Sequence, residues 1–278
     1  PWAIGLEDFA GSQAWLGMSK AATKADMITQ TEWTRIELPL SEFDWEDQQA
    51  NAQNIKQIIF QFEAEGEVYI DEIKIVPYHG GYRKRANLNE IALSGFVVDG
   101  EKMDALWQTA PMSIGPDALR MAVSGTKLIL ALEAEDNTPL ENQYSDGSVW
   151  NGDCFEIAFS TDKEASPKRT FLMSSDIHLG IALTNNPAVW NWSKEQAFTP
   201  DAIATKKTGR GYIMEAVIDL AKLGVAPWEI GELYGLEMAV DHGTLKEGRG
   251  KPHIWNSNNP DFGKYPNTWG ELFIGNPL

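Results

Sequence analysis

Stretches of alternating or continuous apolar residues, each six to ten positions long and ended by polar or turn residues, recur along the chain. They are WTRIELPL (33–40), IKQIIFQF (55–62), EVYIDEIKIV (67–76), KLILALEA (127–134), DCFEIAFS (153–160), GYIMEAVIDL (211–220) and LYGLEMAVD (233–241). A period of two is that of a strand whose successive side chains face opposite sides of a sheet. Strands at this spacing, with few helices between them, predict antiparallel sheets packed as a sandwich. One helical turn is expected, at DLAKLG (219–224), where a glycine closes it. Pro77, Gly80 and Gly81 stand beside Arg83, Lys84 and Arg85 in PYHGGYRKRAN, directly after a predicted strand. This punctuation, with a charge run that reads as a solvated linker, divides the chain at about residue 82. The domains expected are therefore 1–81 and 82–278.

Composition narrows the partners more than the fold. The 278 residues leave room for one large or two ordinary domains, with an ordinary share of apolar residues for a sizeable core. A net charge of −17 argues against a nucleic-acid backbone or an anionic membrane as partner, since either would repel it. A single cysteine, Cys154, excludes a disulfide framework and paired-cysteine zinc sites. No apolar run reaches the ~18 residues of a membrane-spanning helix. The first residue is Pro1 rather than Met, which leads us to expect a processed or excised piece of a longer protein. Eleven tryptophans are an enriched count, and indole is well suited to stacking on sugar rings or lining interfaces.

The densest chemistry lies in SVWNGDCFEIAF (148–159). Period two puts Phe155, Ile157 and Phe159 on one face, read as core, and Cys154, Glu156 and Ala158 on the other. Glu156 must then be solvated, hydrogen-bonded or used. Six extended residues separate Trp150 from Glu156 by about 20 Å, so a joint site needs the chain to turn at Asn151-Gly152. The loop NNPAVWNWSK (185–194) sets Trp190 and Trp192 among three asparagines, either as an aromatic and amide platform or as the loop's own small core. Two carboxylate pairs, Asp153 with Glu156 and Glu215 with Asp219, have the residue type of a glycosidase but no motif behind them. No nucleophile-elbow, H-E-x-x-H or P-loop pattern occurs. The four histidines, His79, His178, His242 and His253, are scattered and read as surface or satisfied side chains.

Two resemblances follow from these segments. TEWTRIELPLSEFDW with NIKQIIFQFEAEGEVYIDEIKIV, about residues 30–76, resembles the closing half of a galactose-binding-like jelly-roll module. Such a module normally needs roughly twice this length for its two sheets to cover one another, so its opening half is expected to be missing here. The region 86–278 resembles the family 9 carbohydrate-binding modules and their DOMON-like β-sandwich relatives. The likeness rests on VDGEKMDALWQTA (98–110), KLILALEAED (127–136), VWNGDCFEI (149–157), GYIMEAVIDLAKLG (211–224), LYGLEMAVDHG (233–243) and IWNSNNPDFGKYPNTWGELFI (254–274).

That resemblance implies an all-β sandwich preceded by a smaller, partial jelly-roll domain. It implies non-catalytic binding of a polysaccharide or oligosaccharide by an accessory piece of a secreted or cell-surface bacterial polysaccharide-degrading protein. The partners would be the sugar and a catalytic domain of the same protein. In the family a sugar lies between two aromatic rings. The first ring matches Trp150, and the glutamate that reads hydroxyls matches Glu156. The second ring falls near Gly263, with Phe262 and Tyr265 the nearest aromatics, and Asn258 is an amide candidate beside them. The family's arginine falls near Leu172, which has no donor. Calcium is common in the family, and among Glu133, Glu135, Asp136, Asp146 and Asp153 the first choice of ligand is Asp136, which aligns with the family's acidic loop. Some DOMON-like sandwiches hold haem through Met and His, for which Met173 or Met238 with His178 or His242 are nominees, although buried methionines in strands are more often core filler.

Overall fold

The computed structural model describes residues 3–17, 38, 40, 43–45, 48–62, 65, 67, 69–74, 83–257 and 259–275. The chain divides into two compact units, Pro1–Arg83 and Lys84–Leu278. In the first, β1 (Ala3–Asp8), β2 (Gln13–Gly17) and β3 (Ile55–Gln61) form an antiparallel sheet in the order β2-β1-β3. Ile4, Leu6, Ala14 and Leu16 pack with Phe43 to make its small core. The turn after β1 is held by Asp8, whose carboxylate accepts from the backbone N–H groups of Ala10, Ser12 and Asn51. Most of WTRIELPL lies outside the described residues, as does all of the stretch from Pro77 to Tyr82. EVYIDEIKIV departs from expectation, because residues 69–74 form no strand. Tyr69, Ile70 and Ile73 are exposed, and Glu72 takes φ 54°, which breaks an extended run. Alternation alone does not hold a strand that has no face to bury.

The second unit adds β4 (Arg85–Leu88), β5 (Met112–Ile114), β6 (Asp117–Ser124), β7 (Lys127–Glu135), β8 (Cys154–Ser160), β9 (Asp176–Ala182), β10 (Ala188–Asn191) and β11 (Gln196–Phe198). It continues with β12 (Ala202–Lys207), β13 (Gly211–Asp219), α1 (Leu220–Leu223), β14 (Leu233–Asp241), β15 (Gly243–Thr244), β16 (Gly248–Arg249), β17 (His253–Ile254) and β18 (Gly270–Ile274). One sheet runs β11-β10-β9-β8-β14-β18-β4, with β17 also paired to β14, and the other runs β12-β13-β7-β6-β5. All pairings in these two sheets are antiparallel except β18 with β4.

The main core lies between the sheets. Phe155, Ile157 and Phe159 of β8 and Met238 and Val240 of β14 meet Leu128, Leu130 and Leu132 of β7 and Tyr212, Met214 and Ile218 of β13. The predicted parity of β8 is therefore the observed one, and Met238 is core. The helical turn also forms as expected. Asp219 Oδ1 caps it from Ala221 N at 3.0 Å, and Gly224 ends it at φ 73°.

A second layer explains the opening motif. Phe96, Leu106 and Trp107 fold over the outer face of the smaller sheet, on Ala122, Ile129, Ala131, Ile213 and Val217. Glu215 of β13, fully buried, holds that segment by accepting from Asp99 N at 2.9 Å, Gly100 N at 2.7 Å and Trp107 Nε1 at 2.7 Å. The Asp-Gly and the tryptophan of VDGEKMDALW are thus a lid on the sheet. Among the described residues, no helix is long and apolar enough to cross a membrane.

Candidate functional site

The outer face of the larger sheet carries the residues singled out around Glu156. The antiparallel register sets Glu156 opposite Gly180 on β9 and Ala239 on β14, and Gly180 opposite Trp190 on β10. Between β7 and β8 the chain turns as a joint site requires, in a 3-10 turn over Asp146–Asn151. Asn142 fixes that turn. Its Nδ2 donates to Val149 O and Asp153 O, both at 2.8 Å, and its Oδ1 accepts from Tyr144 N at 2.9 Å. Gly152 is needed for this approach, since a Cβ there would lie 2.6 Å from Asn142 Cγ.

Below the turn lies a buried polar system. Glu156 is only 4% exposed. Its Oε2 lies 2.9 Å from His178 Nε2, and its Oε1 accepts from Arg249 Nη2 at 3.1 Å. Arg249 comes from the hairpin β15–β16 and also donates through Nε to Asp241 Oδ1 at 2.7 Å. Burial raises the pKa of Glu156. Asp241 is pushed well up by burial and by the neighbouring charge of Glu156, and one guanidinium serves both acidic groups. Burial also lowers His178 to about 3, so it is neutral and its contact with Glu156 is a hydrogen bond from the Nε2–H tautomer, not an ion pair. Of the three possibilities for Glu156, the structure therefore gives the hydrogen-bonded one.

The rings divide into exposed and packed. Trp150 is 37% exposed, and the Arg249 guanidinium lies over its ring at 5.0 Å. Arg249 thus joins Trp150 to Glu156. Tyr265 is 40% exposed, between two 3-10 turns at Phe262–Lys264 and Pro266–Thr268. Trp190 and Trp192 are half-buried and pack on Val149, Cys154 and Ala182, with Trp192 Nε1 donating to Gly147 O at 3.1 Å. Trp192 also stacks on His178 at 4.4 Å between ring centroids. These two rings build a satellite core, one of the two roles open to them in the sequence.

Phe262 is the correction among the rings. It is 0% exposed, clustered with Ala158, Ala239 and Trp269, and has no face open to a ligand. Gly263 explains why this loop sits so close: a Cβ there would meet His178 Cε1 at 2.2 Å. Asn258 lies outside the described residues.

Sequence reasoning missed Arg249, Asp241 and His178. No donor side chain stands at Leu172; the donors that reach Glu156 are His178 on β9 and Arg249 on the hairpin. The flanking glycines of the segment EGRG (247–250) were the one local signal of a tight hairpin, and Gly248 takes φ 73°.

Asp136 belongs to a separate cluster at one end of the sheets. His242 Nε2 lies 3.0 Å from Asp117 Oδ2, and His242 Nδ1 lies 3.3 Å from Asp136 Oδ2. Burial opposes the charge of His242, but Asp117 and Asp136 raise it to about 10, so the ring is an imidazolium between two carboxylates. Asp153 is close by, with burial and the charge of Asp136 raising it to about 7. This set does not suit calcium, which takes roughly six to eight oxygen ligands. Asp153 spends its two oxygens on Gly243 N and Glu141 N, Asp136 Oδ1 accepts from Thr138 N, and a nitrogen stands where further oxygens are needed. Among the haem nominees, Met238 is core and His178 Nε2 is held at Glu156 Oε2.

Neither carboxylate pair flanks a cleft. Glu215 is enclosed by the Asp99–Trp107 segment, Asp219 caps α1, and Asp153 is tied to backbone beneath the Asn142 turn. Cys154 is fully buried, and burial pushes its thiol well up, so it is not poised as a nucleophile.

The larger sheet of this β-sandwich thus carries a guanidinium-backed tryptophan at its surface. Comparison with known proteins gives the family. Residues 98–276 match the family described as carbohydrate family 9 binding domain-like, and the chain belongs to that family of non-catalytic binding modules. Two solved structures of a carbohydrate binding module family 9 from Caldicellulosiruptor kristjanssonii share the fold. The one in complex with cellotriose is 18% identical with a TM-score of 0.54, covering 70% of this chain and 95% of that one. The one in complex with glucose is 18% identical with a TM-score of 0.51, covering 70% and 97%. No curated protein matches the chain.

Proposed function

We propose that the face carrying Trp150 binds the end of an oligosaccharide. The observation that carries the reading is Arg249, which lies over the Trp150 ring and bonds Glu156. A pyranose offers an apolar C–H face that stacks on indole, and its hydroxyls accept from a guanidinium that two buried carboxylates hold in place. Glu156, with its acceptors occupied, acts mainly by orienting Arg249 rather than by meeting the sugar directly. Tyr265 is the second exposed ring of the face. The similar modules from Caldicellulosiruptor kristjanssonii hold cellotriose and glucose, which makes a glucose-based oligosaccharide the first ligand to test. Affinity is modest on this reading, because one or two sugars offer few contact atoms.

The wider role follows from the same reading. A binding module of this kind serves as an accessory of a secreted or cell-surface polysaccharide-degrading protein, raising the effective concentration of a catalytic domain at its substrate. Calorimetric titration of the whole chain with cellotriose and glucose tests the binding step. Saturable binding that Trp150→Ala abolishes, with the melting temperature nearly unchanged, supports the proposal. Absence of binding to a broad set of glycans would make this face architecture and the chain a spacer.

A further inference from the structure

The geometry points to a transition-metal site, suited to zinc, formed by Asp117, His242 and His253 at the edge where the two sheets meet. It is independent of sugar binding. The three residues come from different elements: Asp117 opens β6 of the smaller sheet, His242 follows β14, and His253 lies on β17 of the larger sheet. Their ligand atoms converge on one carboxylate oxygen. Asp117 Oδ2 is 3.0 Å from His242 Nε2 and 3.0 Å from His253 Nδ1. Zinc with bonds of about 2.0–2.1 Å in a tetrahedron sets its ligand atoms about 3.3 Å apart, so Asp117 Oδ2 needs to draw away from each nitrogen by only a few tenths of an ångström, and all three ligand atoms lie within 4.8 Å of one another. Two imidazoles and one carboxylate are a donor set for zinc and its neighbours, not for magnesium or calcium. Without the ion, His242 Nε2 holds a proton towards Asp117; zinc takes the place of that proton, which is released to solvent, and the ligand is the neutral imidazole with Nδ1–H towards Asp136.

Three further observations support a built site. His242 presents its other ring nitrogen, Nδ1, to Asp136 Oδ2 at 3.3 Å, an arrangement of carboxylate, histidine and ligand position that orients metal-binding imidazoles. Asp117 Oδ1 is in turn held by Glu135 N at 3.0 Å. Gly115, at φ 62°, lets the His253 ring lie against the backbone, since a Cβ there would come within 2.7 Å of His253 Cγ. Access is available as well, because the His253 side chain is 34% exposed while Asp117 beneath it is buried. The three protein ligands leave a fourth position for water. A bound ion would clamp one sheet to the other.

The test is calorimetric titration of the chelator-treated whole chain with zinc chloride, and separately with calcium chloride. Saturable binding of a single zinc with no comparable calcium binding is expected, and a rise in melting temperature with zinc. His253→Ala changes a partly exposed residue and should keep the fold by circular dichroism while losing zinc affinity by at least about tenfold. Asp136→Asn should weaken it about 10–100-fold by loosening His242. Cobalt in place of zinc should give the intense visible absorption of a four-coordinate nitrogen-ligated ion. Absence of zinc binding, equal binding by the folded His253→Ala variant, or calcium binding as tight as zinc would overturn the assignment.

Discussion

Arg249 is the residue on which the candidate face turns. It donates to Glu156 and Asp241, both buried, and covers one side of Trp150. Removing it leaves the two carboxylates with no guanidinium, and breaking a buried charge pair from one side typically costs about 3 kcal/mol. Arg249→Met should therefore lower the denaturant midpoint by an amount of that order and loosen Trp150 together with it. Arg249→Lys should recover part of the stability but not the sugar affinity, because an ammonium lacks the planar fork that spans Glu156 and the ring. His178 gives a pH signature. Its folded pKa of about 3 is below its usual 6.5, so between these values the unfolded chain takes a proton that the folded chain does not. The stability it confers is complete above about 6.5 and is lost as pH falls towards 3. Glu237 slopes the opposite way, since burial pushes it up to about 7 and its contribution fades as pH rises through that value. Melting curves across this range should show a shallower acid loss for His178→Gln than for the unaltered chain, and an equal loss would contradict the neutral assignment.

At the scale of elements, the strands legible in the sequence were those whose alternation matches a buried face. β7, β8, β13 and β14 lie where the pattern puts them, because each sends one face into the core between the sheets. β9 and β6 were missed for local reasons. DIHLGIA breaks its apolar run with Gly180, required because a Cβ would enter the Trp192 ring, and DALRMAVS has Arg120 on its partly exposed face. EVYIDEIKIV failed in the other direction, an alternating pattern in which Tyr69, Ile70 and Ile73 stay exposed. In the candidate site, Trp150 and Glu156 were legible as neighbours on one short stretch. Arg249 lies 93 residues from Glu156, and nothing local announces a pairing that the hairpin creates in space. Phe262 misled because an aromatic in a loop reads the same whether it covers a sheet or faces solvent. The lid at Asp99–Trp107 makes its own prediction. Glu215→Ala leaves two backbone donors and an indole N–H without their acceptor, which should cost about 2–3 kcal/mol and raise hydrogen exchange across residues 96–107 ahead of the strands.

At the scale of the whole molecule, a sandwich of two sheets offers two outer faces, and this chain uses them differently. The smaller sheet is sealed by Phe96, Leu106 and Trp107. The larger one carries a buried polar layer beneath a partly exposed tryptophan. Eleven tryptophans make the protein its own reporter, since Trp107 and Trp269 are buried while Trp150 is open. The most direct test of the account is to follow the indole N–H resonances by NMR while cellotriose is added, with Trp150→Phe used to assign the Trp150 signal. The account predicts a saturable shift concentrated in Trp150, with the resonances of Trp107 and Trp269 unmoved. Saturation that shifts other indoles and leaves Trp150 in place would contradict it, because the sugar would then bind on a different face.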